Sequence, residues 1–501
     1  MKFHMSANKQ PNLKALFPDL NRAEYPSSPD GLLSSLIYPH VSKEYSSASA
    51  DEAKGKWISY KRLANSNRGK IIETRPSLET RDELEQFCQK LAVCGLEIDA
   101  SSTSSRTHAG AILDSIKGVA GQNAKSEITT PLSPSIAALQ NPSGIFSKDG
   151  PTNYDKIFHQ IASLGKGEII KEGMLGKAAL GVLQGAGQGK VTQLFDSIFT
   201  PSSKGIGPEA NMVTAAHVPA WIEGLPTPFS WFSRSWDSLC EGHWINNMPT
   251  KRWCDWASCV LRTAVGLGFL WEAAFFVRLG RSILDPNTTD EEAEEFCHGR
   301  GISLLRWLPS KRRVSERHVK HDLESTMIKG LAVRRVILEE FFEDEDLPGE
   351  KEDWSNDKYA LQKFIKFLRG LVKNQPDFGK RISKALSSRS TKGGDNNTKE
   401  TIRFSLIQRK ERGRVADFYH LLKMQSRRFM VVEPGQEWLV VIASLTAGKA
   451  GGSATLQDVT LELEKLGLRP GREHLTELLE SCGLTRSFRD AEQAIEVAAA
   501  F

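Results

Sequence analysis

The sequence predicts a mainly α, multi-domain helical protein ending in a winged-helix or helix-turn-helix-like α+β module. Three observations predict it. Apolar residues recur at three- and four-residue spacing through much of the chain, between helix-capping signals. Seven of the eleven tryptophans crowd into Trp221–Leu284, which reads as the centre of a helical core. Near the C-terminus, two short helices joined by a tight glycine turn stand beside short β-branched segments, the make-up of a helix-turn-helix with a small sheet.

Residues 1–60 are polar and broken by Pro11, Pro18, Pro26, Pro29 and Pro39, so short helical turns and loop are expected there. Thr80-Arg-Asp-Glu83 is a capping box opening a helix to about Cys94, stopped by Gly95. Residues 96–150 form a Ser/Thr/Pro-rich connection with a short helix near Ala109–Val119, and 151–200 read as glycine-rich helix. Lys251–Ile283 is one long apolar helix or two stacked ones, Thr289-Asp-Glu-Glu292 caps the next, and Ser325–Phe342 is amphipathic. Asp357–Lys373 is a further amphipathic helix and Ser387–Thr398 a loop. Arg414–Gln425 reads as helix, Phe429–Glu433 as strand and Trp438–Leu445 as an apolar element. Leu456–Leu466 and Arg472–Cys482 are helices stopped by Gly467 and Gly483, and Ser487-Phe-Arg-Asp490 opens a last helix to Ala500. The domain map that follows is 1–95, an N-terminal helical segment; 96–150, the connection; 151–342, a Trp-rich core; 343–358, an acidic linker; 359–412, a basic helical region; and 413–501, the winged-helix-like domain.

Composition narrows the class. Hydrophobic residues make up 40% of the 501, enough for several cores and too many for wholesale disorder. Met1–Asp30 holds no apolar signal-like region, and Arg262, Glu272 and Arg278 interrupt the best membrane candidate, Trp256–Leu279. The seven cysteines follow no disulfide pattern, which points to a reducing cytoplasm.

Net charge is only +5, yet it is unevenly spread. Val336–Lys358 holds ten Asp and Glu against two Lys, whereas Tyr359–Arg428 holds eighteen Lys and Arg against five Asp and Glu. Basic residues bind phosphate by charge and counterion release. Candidate nucleic-acid contacts are therefore Lys311, Arg312, Arg313 and Arg317 in one basic segment, and Lys363, Lys366, Arg409, Lys410, Arg412, Arg414, Arg427 and Arg428 in the other. Arg472 and Arg489 stand near the starts of the last two helices, where a recognition helix reaches bases. The bland alternative is a solvated face, or a surface matched to the protein's own acidic stretch.

Other motifs are incomplete. Gly181–Thr192 suggests a phosphate loop, but Gln184 stands at the first required glycine, Val191 follows Lys190, and no strand precedes it; a glycine-softened loop between helices is expected. Cys240, His243, Cys254 and Cys259 could supply four zinc ligands, but the last two lie five apart on a helix and point in different directions, so buried thiols are expected and no metal. No nucleophile elbow, cysteine signature or cofactor motif is present. The sequence thus suggests a non-catalytic DNA-associated subunit or scaffold of a nucleic-acid-processing assembly, for example in genome defence or a mobile element, with DNA favoured over RNA and with further protein subunits as partners. A protein–protein adaptor with a winged-helix-like interaction module, or an enzyme with a nonstandard site, are the alternatives.

Overall fold

The computed structural model describes residues 16–21, 23, 29–41, 80–93, 96–115, 130–133, 137, 154–171, 173–186, 218–342, 357–391, 395–409, 416–486 and 495–501. The protein is mainly helical. In chain order the described helices are α1 (Pro29–Val41), α2 (Arg81–Val93), α3 (Ser105–Ser115), α4 (Tyr154–Lys166), α5 (Met174–Ala186), α6 (Pro228–Glu241), α7 (Thr250–Leu284) and α8 (Asp290–His298). A single turn, α9 (Val314–Arg317), precedes α10 (Lys320–Phe342), α11 (Ala360–Asn374), α12 (Pro376–Leu386) and α13 (Asp395–Leu406). The strands β1 (Leu422–Gln425) and β2 (Phe429–Val432), then α14 (Gln436–Ala447), β3 (Ser453–Thr455), α15 (Leu456–Lys465), α16 (Arg472–Ser481), β4 (Thr485–Arg486) and β5 (Glu496–Ala498) complete the chain.

The tryptophan-rich segment is one continuous helix of 35 residues, α7. Its composition would let it cross a membrane, yet its most apolar stretch is entirely buried, so it is a core helix. Helices α1, α6, α8, α10, α11, α12 and α13 pack around it, which explains why apolar residues occupy all its faces. Close approach needs small residues: a Cβ at Gly330 of α10 would lie 2.2 Å from the Ala273 carbonyl oxygen of α7. The charges within α7 are satisfied laterally. Glu272 accepts the Leu20 N–H at 3.0 Å and sits 3.7 Å from Arg334, which also pairs with Asp19. With Phe17 against Phe276 and Phe364, these contacts seat residues 16–21 in the core.

Local signals formed as their chemistry dictates. Thr80 and Glu83 cap α2, Thr289 and Glu292 cap α8 by reciprocal side-chain bonds, and α10 begins five residues before its predicted start. Four expectations are corrected. Pro29 and Pro39 do not break the N-terminal segment: α1 begins at Pro29 and continues through Pro39, with Leu32, Leu33, Leu36 and Ile37 buried. Gly181 and Gly185 lie inside α5 rather than in a loop, and the remainder of that motif is outside the described residues. The Ser387–Thr398 loop is shorter than predicted, because α13 starts at Asp395, where Arg335 pairs with its side chain.

The fourth correction concerns the two C-terminal helix predictions. Leu422–Gln425 is a strand, paired antiparallel with Phe429–Val432, because Leu421 donates to Leu406 and Gln408 to Leu422, which draws this segment into a ladder. Glu496–Ala498 is likewise a strand, between β3 and β4; the Ser487–Asp490 signal lies outside the described residues. The C-terminal part runs α14, β3, α15, α16, β4, β5 with sheet order β3-β5-β4. Gly467 and Gly483 end the turns after α15 and α16 at φ +68 and +71, a conformation that glycine adopts without cost. This part is docked on the helical body: α14 packs on α7 and α6, α15 on α6, and Leu304 donates to the Gly467 carbonyl at 2.8 Å.

Residues 343–356 of the acidic stretch lie outside the described residues. The helices flanking it share one core: α11 packs on α7 and α8, α12 on α10, and α13 on both α7 and α10. Limited proteolysis is therefore expected to nick the acidic stretch, where charge is dense and apolar content low, and to leave the two fragments together. Elution of the nicked protein as a single species on size exclusion is the expected result; two separated folded fragments would overturn it.

Candidate nucleic-acid interface

Part of the basic excess after Tyr359 is neutralised internally. Arg381 pairs with Glu339 and Glu340, and Lys363 with Asp357 at 2.8 Å, so the acidic stretch supplies part of the balance. Arg369 binds Asp290 at 2.7 Å and the Ser282 carbonyl, pinning α11 to the end of α7. Lys366 is exposed on the same helix, close enough to Glu291 to help hold that carboxyl below the usual range, after the effect of backbone hydrogen bonding. Two candidates are buried. Arg317 is 4% exposed and paired with Glu433, and Arg409 is 6% exposed, its guanidinium donating to the Phe404 carbonyl and lying over that ring. Both side chains serve the fold. Lys410, Arg412, Arg414 and Arg489 lie outside the described residues.

The remaining candidates converge around the β1–β2 hairpin. Its two edges are covered: the Ile407–Gln408 backbone pairs with β1, and His318–Val319 pairs with β2, Val319 donating to the Met430 carbonyl at 2.8 Å. The Met430 N–H donates to His318 Nδ1 at 2.9 Å, and the His318 ring meets Phe429 edge-on. Glu433, at the base, accepts from Lys423 and Arg317; burial would raise its carboxyl pKa, but these cations outweigh burial and hold it below the usual range. The hairpin is thus a rigid pedestal whose exposed part is its tip, Ser426–Arg428.

Two sequence-distant basic segments belong to this region: Arg427 and Arg428 at the tip, and Lys311, Arg312 and Arg313 ahead of a turn that runs toward the base of the hairpin, where Arg317 meets Glu433. Turn α9, which follows directly on Arg313, packs against β2. Lys311, Arg312, Arg313, Arg427 and Arg428 are exposed, and their side chains make no ion pair among the described residues. Arg428 lies over the Phe429 ring, 5.5 Å from its centroid. Lys311 also faces the C-terminal part: burial lowers the His474 pKa, Arg317 and Lys311 lower it further, and Glu477 opposes them. His474 packs edge-on against Trp307, which places α16 beside the cluster. Arg472 at the start of α16 is exposed, but the same helix exposes Glu473, Glu477 and Glu480.

A cleft of about 490 Å³ between the helical body and α15 is lined by four basic residues, Arg234, Arg300, Lys465 and Arg469, and three acidic ones, Asp458, Glu462 and Glu464. The four proposed zinc ligands do not converge: the Cys254 thiol faces the Pro131 carbonyl and the Cys259 thiol the Tyr419 carbonyl, and burial pushes the Cys240 and Cys259 thiols up. Among the described residues no His, Cys, Asp and Glu group has metal-binding geometry.

No protein-family model matches the chain, and it matches none of the curated proteins with which it was compared. The functional reading therefore rests on the site itself.

Proposed function

We propose that the chain is a DNA-associated scaffold subunit that holds duplex DNA by its phosphates at the β1–β2 hairpin and offers its C-terminal part to a protein partner. One observation carries the reading: Arg427 and Arg428 at the tip of a braced hairpin, and Lys311, Arg312 and Arg313 ahead of the turn that packs on β2, are exposed and make no ion pair among the described residues. Unpaired basic groups on a rigid support lose little conformational freedom when they meet phosphate. Free thiols at the described cysteines fit a reducing cytoplasm.

The order α14, β3, α15, α16, β4, β5 with sheet order β3-β5-β4 supports the winged-helix-like reading of the C-terminal part. In that layout α16 would be the recognition helix. Glu473, Glu477 and Glu480 on its exposed side repel phosphate, so DNA contact is assigned to the hairpin and protein contact to α16. The same acidic face favours the second reading, a pure adaptor.

The test is duplex binding by fluorescence anisotropy at two salt concentrations. Each neutralised phosphate contributes about −0.9 to the slope of log K against log salt. The combined variant Lys311→Glu, Arg312→Glu, Arg313→Glu is expected to weaken binding to all sequences alike and to make the slope less steep by about 3. No binding by the wild type, even at low salt, would leave the adaptor reading.

A further inference from the structure

The hairpin tip is conformationally unusual. Register pairs Gln425 with Phe429, leaving Ser426, Arg427 and Arg428 as the connection. Arg428 N–H closes the turn onto the Gln425 carbonyl at 3.1 Å, and the two central residues, Ser426 and Arg427, have φ +50 and +56. Consecutive positive φ values are what a type I′ hairpin turn requires, and Asn or Gly normally fills them. A serine and an arginine there hold the backbone in a conformation that non-glycine residues adopt at a cost, and such cost is retained at positions where the side chain does something.

We infer that Arg427 and Arg428 enter the minor groove of duplex DNA. This rests on the DNA reading above and adds the groove and the sequence class. The covered edges decide the groove. A free two-stranded ribbon can lie in the major groove, but here each edge is bridged to protein, β1 at Leu422 by Ile407–Gln408 and β2 at Met430–Val431 by His318–Val319. Met430 and Val431 are buried as well, so the ribbon cannot lie along DNA and only its tip is presented. A narrow tip carrying arginines suits the minor groove, about 6 Å wide, whose negative potential deepens where A-tracts narrow it. Glu433 holds Lys423 and Arg317 at the base of the hairpin, so the free positive charge is concentrated at the outer end.

Two substitutions separate function from folding. Arg427→Gly relieves the positive-φ cost, so its melting temperature is expected to equal or exceed that of the wild type while its affinity for an A-tract duplex falls about tenfold. Arg427→Lys with Arg428→Lys keeps the charge and is expected to lose the A-tract preference while keeping most of the salt slope. Wild type should prefer an A-tract over a G·C duplex of equal length, and a minor-groove-binding polyamide should displace it. Binding that is equal on both duplexes, indifferent to the polyamide and unchanged in Arg427→Gly would overturn the inference and leave phosphate binding standing. Absence of binding to either duplex at low salt would overturn the DNA reading, and this inference with it.

Discussion

Replacing Asp417 with alanine is expected to destabilise the protein by about 3–5 kcal/mol, the usual result of stripping one partner from a buried ion pair. Arg262 and Asp417 are each 3% exposed and meet at 2.8 Å. Arg262 projects from the middle of α7 and also donates to the Ser405 and Ile407 carbonyls, while Asp417 accepts the Arg409 and Tyr419 N–H groups. Without Asp417 the buried guanidinium would lose its counter-charge and two amide donors their acceptor. Denaturant unfolding checks the value; a wild-type midpoint would show the pair to be dispensable. Replacing both members with apolar residues, Arg262→Met with Asp417→Leu, should recover only the part due to the unpaired charge, since the Arg409 and Tyr419 N–H groups and the Ser405 and Ile407 carbonyls still lose their partners.

The same pair sets a pH dependence. Burial alone would raise the Asp417 pKa, but the charge and hydrogen bond of Arg262, with the Arg409 N–H, outweigh burial and hold it below the ordinary carboxylate value. A carboxyl depressed in the folded state contributes stability that is fully present above its unfolded pKa, about 3.9, and is lost as pH falls through the folded value. Asp417→Asn should therefore lose less stability relative to wild type as pH drops below about 4.

The second large effect is expected at Trp256. Its side chain is fully buried, with ring centroids 5.3 Å from Trp244 and 6.0 Å from Phe501. Trp256→Ala should cost about 3–5 kcal/mol through lost burial and the cavity left behind. The indole N–H has no hydrogen-bond partner among the described residues, so Trp256→Phe removes no polar contact and should cost about 1–2 kcal/mol. A thermal melt of both variants checks the order; an unchanged curve for the alanine variant would place Trp256 on the surface.

What could be read in the sequence follows interaction range. Thr289 and Glu292 satisfy each other across one turn, so the start of α8 was legible from four residues. Gly467 and Gly483 were legible for the same reason, since a positive φ after a helix calls for glycine. Leu422–Gln425 was not legible: its register depends on Phe429–Val432, Ile407 and, through β2, His318, and single-sequence periodicity cannot weigh partners that distant. The strand Glu496–Ala498 was hidden in an alanine-rich segment that favours helix in isolation.

By itself, the sequence determined the helical class, the buried Trp221–Leu284 centre and the sign and location of the charge excess, because burial tendency and formal charge belong to residues individually. Only the tertiary structure decided which charges are free. Arg381 and Lys363 carry the same charge as Arg427, but Glu340 and Asp357 neutralise them whereas the hairpin tip holds Arg427 in solvent. Electrostatic pairing depends on distance and burial, and the fold sets both: it buries Arg317 against Glu433 and leaves Arg427 and Arg428 exposed at the hairpin tip.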